Sequence, residues 1–549
     1  MIRRRIVLAA LLAALFALGW WVGRGSAGAG DLYANLDLFV EVLQRVEESY
    51  VDRVEPKTLV EGALKGMLRD LDPYSQYLDA RGYDNLRVTT HGTYGGVGLV
   101  VSVRDHHPTV ISPIEGGPAW SLGMRPGDVI VRIDGAPTAG LSVEEVAEKL
   151  RGPQGTHVRV SVRREGEESE IEYAIERRVI VTKSVPYAFV AEGHTGYLRL
   201  ANFSESSGAE VRDAVQRLRR EGATRLVLDL RSNPGGLLDQ AVDVAEQFTK
   251  SNTLLVYTRG RVKGQDQRFY SSDARPVLDW PLVVLVDEGS ASASEIVAGA
   301  LQDLDRALVL GQTTFGKGLV QSVFPLRNRT VALKLTTSRY YTPSGRSIDR
   351  PRGQDSALAG REDLAPDEPD EDGEVVAPLA RPARADTAPP PSFRTTAGRV
   401  VHGGGGIRPD VLMENDSLPP LTRRVESRGL AFRFANRWVN RHAGWKLGSS
   451  IEPAVWSEFT AFLGQERVEF TPAEVAAERR WLERALRREL ARRLHGDAAA
   501  MRVALEGDPV FERALDVLSR ARTPREVFAA MRVAPEPPAR LAREPASAR

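Results

Sequence analysis

Between residues 196 and 310, short apolar runs alternate with longer amphipathic ones, and no other feature constrains the fold of this chain as much. Residues 196–200, 226–230, 282–286 and 307–310 read as strands. Residues 209–221, 237–248 and a stretch ending near 303 read as helices. Alternation of this kind predicts a layered α/β sheet joined by helical crossovers.

That unit cannot be the whole molecule, because 549 residues exceed one ordinary core. A formal net charge of +1 argues against a nucleic-acid binder driven by overall charge. The absence of cysteine removes disulfides, thiolate metal sites, cysteine nucleophiles and a lipidated N-terminal cysteine. At the N-terminus, Arg3-Arg4-Arg5 precedes an apolar run over residues 6–22 that ends in Trp20-Trp21. Residues 1–30 therefore read as an export signal or membrane anchor, with Ala27-Gly28-Ala29 as the cleavage site if one is used. The expected location is the cell envelope, periplasmic side, either anchored in the membrane or released.

Texture divides the rest. Residues 31–91 form an N-terminal helical region: Leu36, Phe39, Val40 and Leu43 recur at helical spacing, as do Leu59, Ala63, Met67 and Leu71. Residues 92–178 change to short strands with glycine turns and one helix opened by Ser142. The α/β region runs from 179 to 352 and is interrupted by an acidic, proline-rich insertion over 353–394 that has little to bury. Order resumes at 395–420 around Gly403-Gly404-Gly405-Gly406-Ile407. Residues 421–549 read as helical and rich in Arg and Glu, ending in a loose tail with Pro535, Pro537 and Pro538. Over 477–494 the mixed charges suggest a solvated, salt-bridged face.

Chemistry concentrates in two segments. Gly289-Ser290-Ala291-Ser292-Ala293-Ser294-Glu295 opens a helix, and Phe315-Gly316-Lys317-Gly318 follows. A serine hydroxyl needs a base, and a desolvated lysine can serve without histidine. Such a lysine must be neutral, and burial among Phe315, Leu319 and Val320 is the physical route to that state. Chemistry alone does not choose among Ser290, Ser292 and Ser294. Ser292 through Glu295 also spells a capping box, which would make the segment a helix start and nothing more. A histidine-based triad finds no histidine in either segment, and no cluster has metal-ligand spacing, so neither metal nor cofactor is expected.

Two resemblances sharpen this. Gly116-Gly117-Pro118-Ala119, Gly123-Met124-Arg125-Pro126-Gly127-Asp128 and Ile133-Asp134-Gly135 resemble a bacterial PDZ domain. That resemblance makes Gly95, Gly96, Val97, Gly98 and Leu99 the loop that binds a peptide carboxylate, and glycines there let N–H groups converge on an anion. The stretch from Leu228 to Gly236, the serine segment through Asp303, Phe315-Gly316-Lys317-Gly318, Gln321 and Tyr340-Tyr341-Thr342-Pro343-Ser344-Gly345-Arg346 resemble the carboxyl-terminal processing peptidases of family S41. The resemblance implies a crotonase-like layered protease core with Ser292 as nucleophile and Lys317 as base. It also implies that Gln321 orients the lysine and that backbone N–H groups of Gly235 or Gly236 and Ala293 form the oxyanion site. Glu295 and Asp303 read as structural. The implied function is an exported serine endopeptidase that captures apolar protein C-termini and cuts through an acyl-enzyme. Partners are then protein substrates and the membrane, not nucleic acid, with a homo-oligomer left open. The alternatives are a membrane-tethered PDZ adaptor with an inactive protease-like domain, and a crotonase-like acyl-transfer enzyme.

Overall fold

The computed structural model describes residues 27–532 apart from 105, 273–277, 351–390, 415–416 and 443. The apolar N-terminal run, nearly all of the acidic insertion and the proline-containing tail lie outside the described residues. Among the described residues no helix is long and apolar enough to cross a membrane. The chain divides into two compact units, residues 1–83 with 321–336, and 84–320 with 337–549.

The first unit holds helices Ala27–Ser49 and Pro56–Arg69 and the short strand Gln76–Leu78, which pairs antiparallel with residues 332–334. The Asp72 carboxylate accepts the N–H groups of Tyr74 and Ser75, both at 2.8 Å, and the Thr336 hydroxyl at 3.1 Å. One aspartate thus holds the turn after the helix and binds the returning strand. The apolar stripe of the first helix stays open, with Leu36, Phe39 and Val40 exposed. Helix Ala80–His91 closes the helical region read over 31–91 and buries no residue.

The second unit begins with a small β-rich domain. Its strands β1 (Leu99–Arg104), β2 (His107–Pro113), β3 (Val129–Ile133), β4 (His157–Arg163) and β5 (Ile171–Glu176) pair in that order, all antiparallel. Helix α1 (Val143–Leu150) is closed by a capping box between Ser142 and Glu145 and turns Val146 and Leu150 into the core. β1 is an edge strand, and α1 packs against it.

The central sheet follows, with β6 (Tyr187–Ala191), β7 (Thr195–Arg199), β8 (Arg225–Asp229), β9 (Leu282–Val286), β10 (Leu308–Gly311) and β11 (Val411–Leu412) in sequential order. Only the first pair is antiparallel. Helices α2 (Ser207–Arg220), α3 (Leu238–Ala245) and α4 (Ala293–Asp303) make the crossovers. Because strand order follows chain order and crossovers share one hand, all three helices fall on the same face. Register then sorts the side chains with period two. Leu198, Leu228, Val284 and Val309 are partners across the sheet and join the core under those helices. Their neighbours Tyr197, Val227, Val283 and Leu308 point the other way.

That second face is covered from the far end of the chain. Helices α5 (Leu430–Val439), α6 (Arg479–His495), α7 (Asp497–Leu505), α8 (Pro509–Ser519) and α9 (Glu526–Ala530) include the cover. Leu505, Phe511, Ala514, Val517 and Leu518 pack on the sheet, with Phe511 edge-on to Tyr197 at 5.5 Å. α5 and α6 belong to a separate helical core, so the mixed-sign helix α6 is not merely solvated: it buries Leu482, Leu486 and Leu490. This helical core also grips the β-rich domain. Arg104 on β1 donates to the Gly429 carbonyl at 3.1 Å and lies 4.3 Å over the Phe432 ring, and Arg437 pairs with Glu165 at 3.4 Å.

Candidate active site

Three loops leave the carboxyl ends of the adjacent parallel strands β8, β9 and β10, the edge at which open α/β sheets gather their ligands. They carry Asn233-Pro234-Gly235-Gly236, the three serines, and Lys317. Asn233 joins the first loop to the second. Its amide nitrogen donates to the Leu200 carbonyl at 2.8 Å, and its carbonyl accepts the Ala291 N–H and the Ser294 hydroxyl, both at 2.9 Å.

The serines are not equivalent. Ser290 donates to the Leu230 carbonyl at 2.8 Å and Ser294 to Asn233, and both are fully buried. Ser292 is half-buried. It occupies the N-cap of α4, in a capping box with Glu295. Its φ of 54° lies in the left-handed region, which costs a non-glycine residue about 1–3 kcal/mol. The fold holds one serine, and that one only among the three, half-buried on a strained turn.

Gly235 lies directly against this turn. A β-carbon there would sit 2.7 Å from the Ala291 carbonyl and 2.9 Å from both the Ala293 nitrogen and the Ser292 β-carbon, so no larger residue fits. The Gly235 N–H donates to Asn233 Oδ1 at 2.9 Å. Gly236 forms a parallel bridge with Phe203, which turns its own N–H away from that residue. The Ala293 N–H belongs to the first turn of α4, where N–H groups have no partner within the helix.

Glu295 binds the lysine loop to the serine turn. Its fully buried carboxylate accepts the Ser292 N–H at 2.8 Å, the Lys317 N–H at 2.9 Å, the Gly316 N–H at 2.7 Å and the Thr314 hydroxyl at 2.6 Å. Burial pushes its pKa up, and these hydrogen bonds pull it back only in part. The Tyr340 hydroxyl lies 2.6 Å from the Lys317 carbonyl and 3.0 Å from that of Ser292. Thr314 in turn accepts the Ile407 N–H at 2.6 Å, so the glycine run after the insertion returns to support the lysine loop. Lys317 itself is half-buried. Gln321 donates its amide to the Tyr74 carbonyl at 2.6 Å within the first unit. Asp303 forms a buried pair with Arg346 at 2.8 Å.

The sequence matches the profile of peptidase family S41 over residues 194–354, that of the PDZ domain over 109–164 and that of the activating protease CtpB N-terminal domain over 25–82. A carboxy-terminal-processing protease of Bartonella bacilliformis is 41% identical over 322 residues, covering 58% of this chain and 73% of that protein. The chain belongs to the S41 carboxyl-terminal processing peptidases. A relative from Synechocystis sp. is 38% identical over 56% of this chain and 72% of its own length, and one from Bacillus subtilis 32% over 60% and 69%. It is a serine-type peptidase with a PDZ domain and an α/β core flanked by helical regions.

In the PDZ domain of this peptidase, Gly95 and Gly96 end the strand Thr93–Gly96, Val97 enters the domain core, Gly98 has a φ of 74°, and Leu99 opens β1. The loop therefore leads straight into the edge strand beside α1, the arrangement that strand addition of a peptide requires.

An electrostatic cluster sits behind the glycine loop. Asp229 at the end of β8 is fully buried and pairs with Arg231 at 2.8 Å and Arg199 at 3.1 Å. Burial alone would raise its pKa, but the two guanidinium groups outweigh it and hold the carboxyl below its usual range. Arg231 also reaches Asp508 at 2.7 Å, whose carboxylate caps α8. Sequence reasoning assigned no role to Thr314, Tyr340 or Asp508. Glu295 was recognised as a cap, but nothing local to the sequence signals that it also binds a loop 21 residues away.

Proposed function

We propose that this peptidase is exported to the periplasmic side of the envelope, binds protein C-termini along β1 of its PDZ domain, and cuts them with Ser292 as nucleophile and Lys317 as general base. The observation that carries the reading is the unequal fate of the three serines: two hydroxyls are buried in structural hydrogen bonds, and the third stands on the strained turn against Gly235. Neutral Lys317 takes the Ser292 proton as Oγ attacks the scissile carbonyl carbon, and the carbonyl electron pair moves to oxygen. Ala293 N–H and Gly236 N–H meet that oxyanion; Gly235 supplies the close approach, its own N–H being held by Asn233. The lysine ammonium then protonates the leaving amine, and water resolves the acyl-enzyme. Gln321, a neutral amide, helps orient the lysine without fixing its charge as a carboxylate would. Protein substrates with apolar C-termini are the partners.

The test is digestion of an unstructured protein with an apolar C-terminus by the wild type, Ser292→Ala and Lys317→Ala. Both variants should lose turnover, and undiminished cleavage by either sinks the dyad. Amidating the substrate's C-terminus should raise KM in the wild type if the PDZ loop reads a carboxylate, and an unchanged KM would remove capture from the reading.

A further inference from the structure

Ser292 and Lys317 are 25 positions apart in sequence (317 − 292), yet their backbone polar groups converge on the same two side chains. Glu295 Oε2 accepts both N–H groups, from Ser292 at 2.8 Å and from Lys317 at 2.9 Å. The Tyr340 hydroxyl contacts both carbonyls, Ser292 at 3.0 Å and Lys317 at 2.6 Å. One acceptor bridges the two donors, and one donor bridges the two acceptors. We infer that Glu295 and Tyr340 are positioning residues, a two-bar clamp that fixes the spacing of the Ser292 and Lys317 main chains. The inference rests on the proposal that these two residues are the dyad.

Neither bar is free to slide. Tyr340 is buried in the core that contains Ile296, Ile348 and Ile407, so its ring sets where the hydroxyl lies. Its own N–H donates to the Gly318 carbonyl at 3.0 Å. Strand and phenol together therefore hold two successive carbonyls of the lysine loop. The hydroxyl has a single proton to share, and the shorter contact makes Lys317 the principal acceptor. The Ser292 carbonyl also receives the N–H groups of Glu295 and Ile296, at 2.9 and 3.0 Å, so the first turn of α4 anchors its side of the bridge. On the other bar, Glu295 Oε1 takes Gly316 and Thr314, which keeps the carboxylate from rotating toward either catalytic candidate. A proton passes between serine and lysine only at hydrogen-bond distance. Displacement by about 1 Å costs on the order of 100-fold in rate. The clamp acts at the main chain of both residues and touches no reacting atom.

The decisive variants are Tyr340→Phe, which deletes one hydroxyl, and Tyr340→4-aminophenylalanine, which retains a donor at the same place. Each is compared with wild type, Ser292→Ala and Lys317→Ala for kcat, KM, the pH profile of kcat/KM and the rate of serine labelling by a fluorophosphonate. For Tyr340→Phe, kcat and labelling should fall together by about 10- to 100-fold with KM changed less than about twofold. The half-maximum of its pH profile should also move, because a displaced lysine loop alters burial of the base. The 4-amino variant should recover most of the loss, and should decide the matter alone if the Phe variant does not fold. Wild-type kcat and an unmoved profile in Tyr340→Phe, or an equal loss in a folded 4-amino variant, would overturn the clamp while leaving the dyad intact. Cleavage by Ser292→Ala or Lys317→Ala would instead overturn the dyad, and with it the purpose of the clamp.

Discussion

Replacing Glu295 by glutamine tests how strongly the lysine loop is held to the serine turn. The carboxylate accepts four hydrogen bonds, two on each oxygen. An amide has one oxygen and must point its NH2 at two of those donors. The less costly orientation faces the nitrogen toward Thr314 and Gly316, because the Thr314 hydroxyl can turn to accept. Gly316 N–H is then a buried donor without a partner, at about 1–3 kcal/mol. The Ser292 and Lys317 N–H groups keep their acceptor but lose the charge, at about 1 kcal/mol each. Against this, the glutamine no longer carries the desolvation that raises the Glu295 pKa. A net loss of about 2–3 kcal/mol of local stability follows. At 1.36 kcal/mol per decade, amide exchange of Gly316 and Lys317 should quicken by about 30- to 150-fold. Hydrogen–deuterium exchange of a peptide spanning 314–318 reads this directly, without requiring the whole chain to unfold in one step. Unchanged exchange there, together with unchanged kcat, would refute the account of Glu295 as the bond between the two loops.

Two further outcomes follow from burial and charge. Gly429 has a φ of 60°, and a β-carbon there would sit 1.9 Å from Arg104 Nη1. Gly429→Ala should therefore lift Arg104 from the helical core and speed amide exchange along β1; exchange identical to wild type would show that this contact does not hold the PDZ strand. The two buried carboxylates respond to pH with opposite sign. The folded pKa of Glu295 is raised, so its contribution is fully present below the usual glutamate range and is lost as pH rises through the folded value. The folded pKa of Asp229 is lowered, so its contribution is present above the unfolded value of about 3.9 and is lost as pH falls through the folded one. Arg231→Ala removes the chief cause of that lowering and should move acid unfolding to higher pH, as followed by urea titration at several pH values. An unmoved acid limb would count against the Asp229–Arg231 pair.

Much of the fold was legible because its signals are local. β8, β9 and β10 are apolar runs, α2 and α3 show helical spacing, and Ser142 with Glu145 spells a cap that forms as written. Illegible elements lack such signals. α6 mixes charges so evenly that its buried Leu482, Leu486 and Leu490 do not stand out. The pairing of Asp508 with Arg231 carries no local signal either, since 277 residues separate the two.

Sequence by itself determined the order of the elements, the family and the short list of chemical candidates, because spacing and residue type are local properties. Residue chemistry left three serines alike, the family resemblance picked Ser292, and Glu295 read as one end of a helix cap. The tertiary structure shows what physically sets the three apart. Packing three loops at the ends of adjacent parallel strands commits Ser290 and Ser294 to carbonyls of a neighbouring loop and leaves Ser292 on the strained turn. The same packing brings Glu295 and Tyr340 to the backbone of Lys317. Which hydroxyl is used up, and which side chain bridges two loops, depends on partners remote in sequence, and those are set by the sheet.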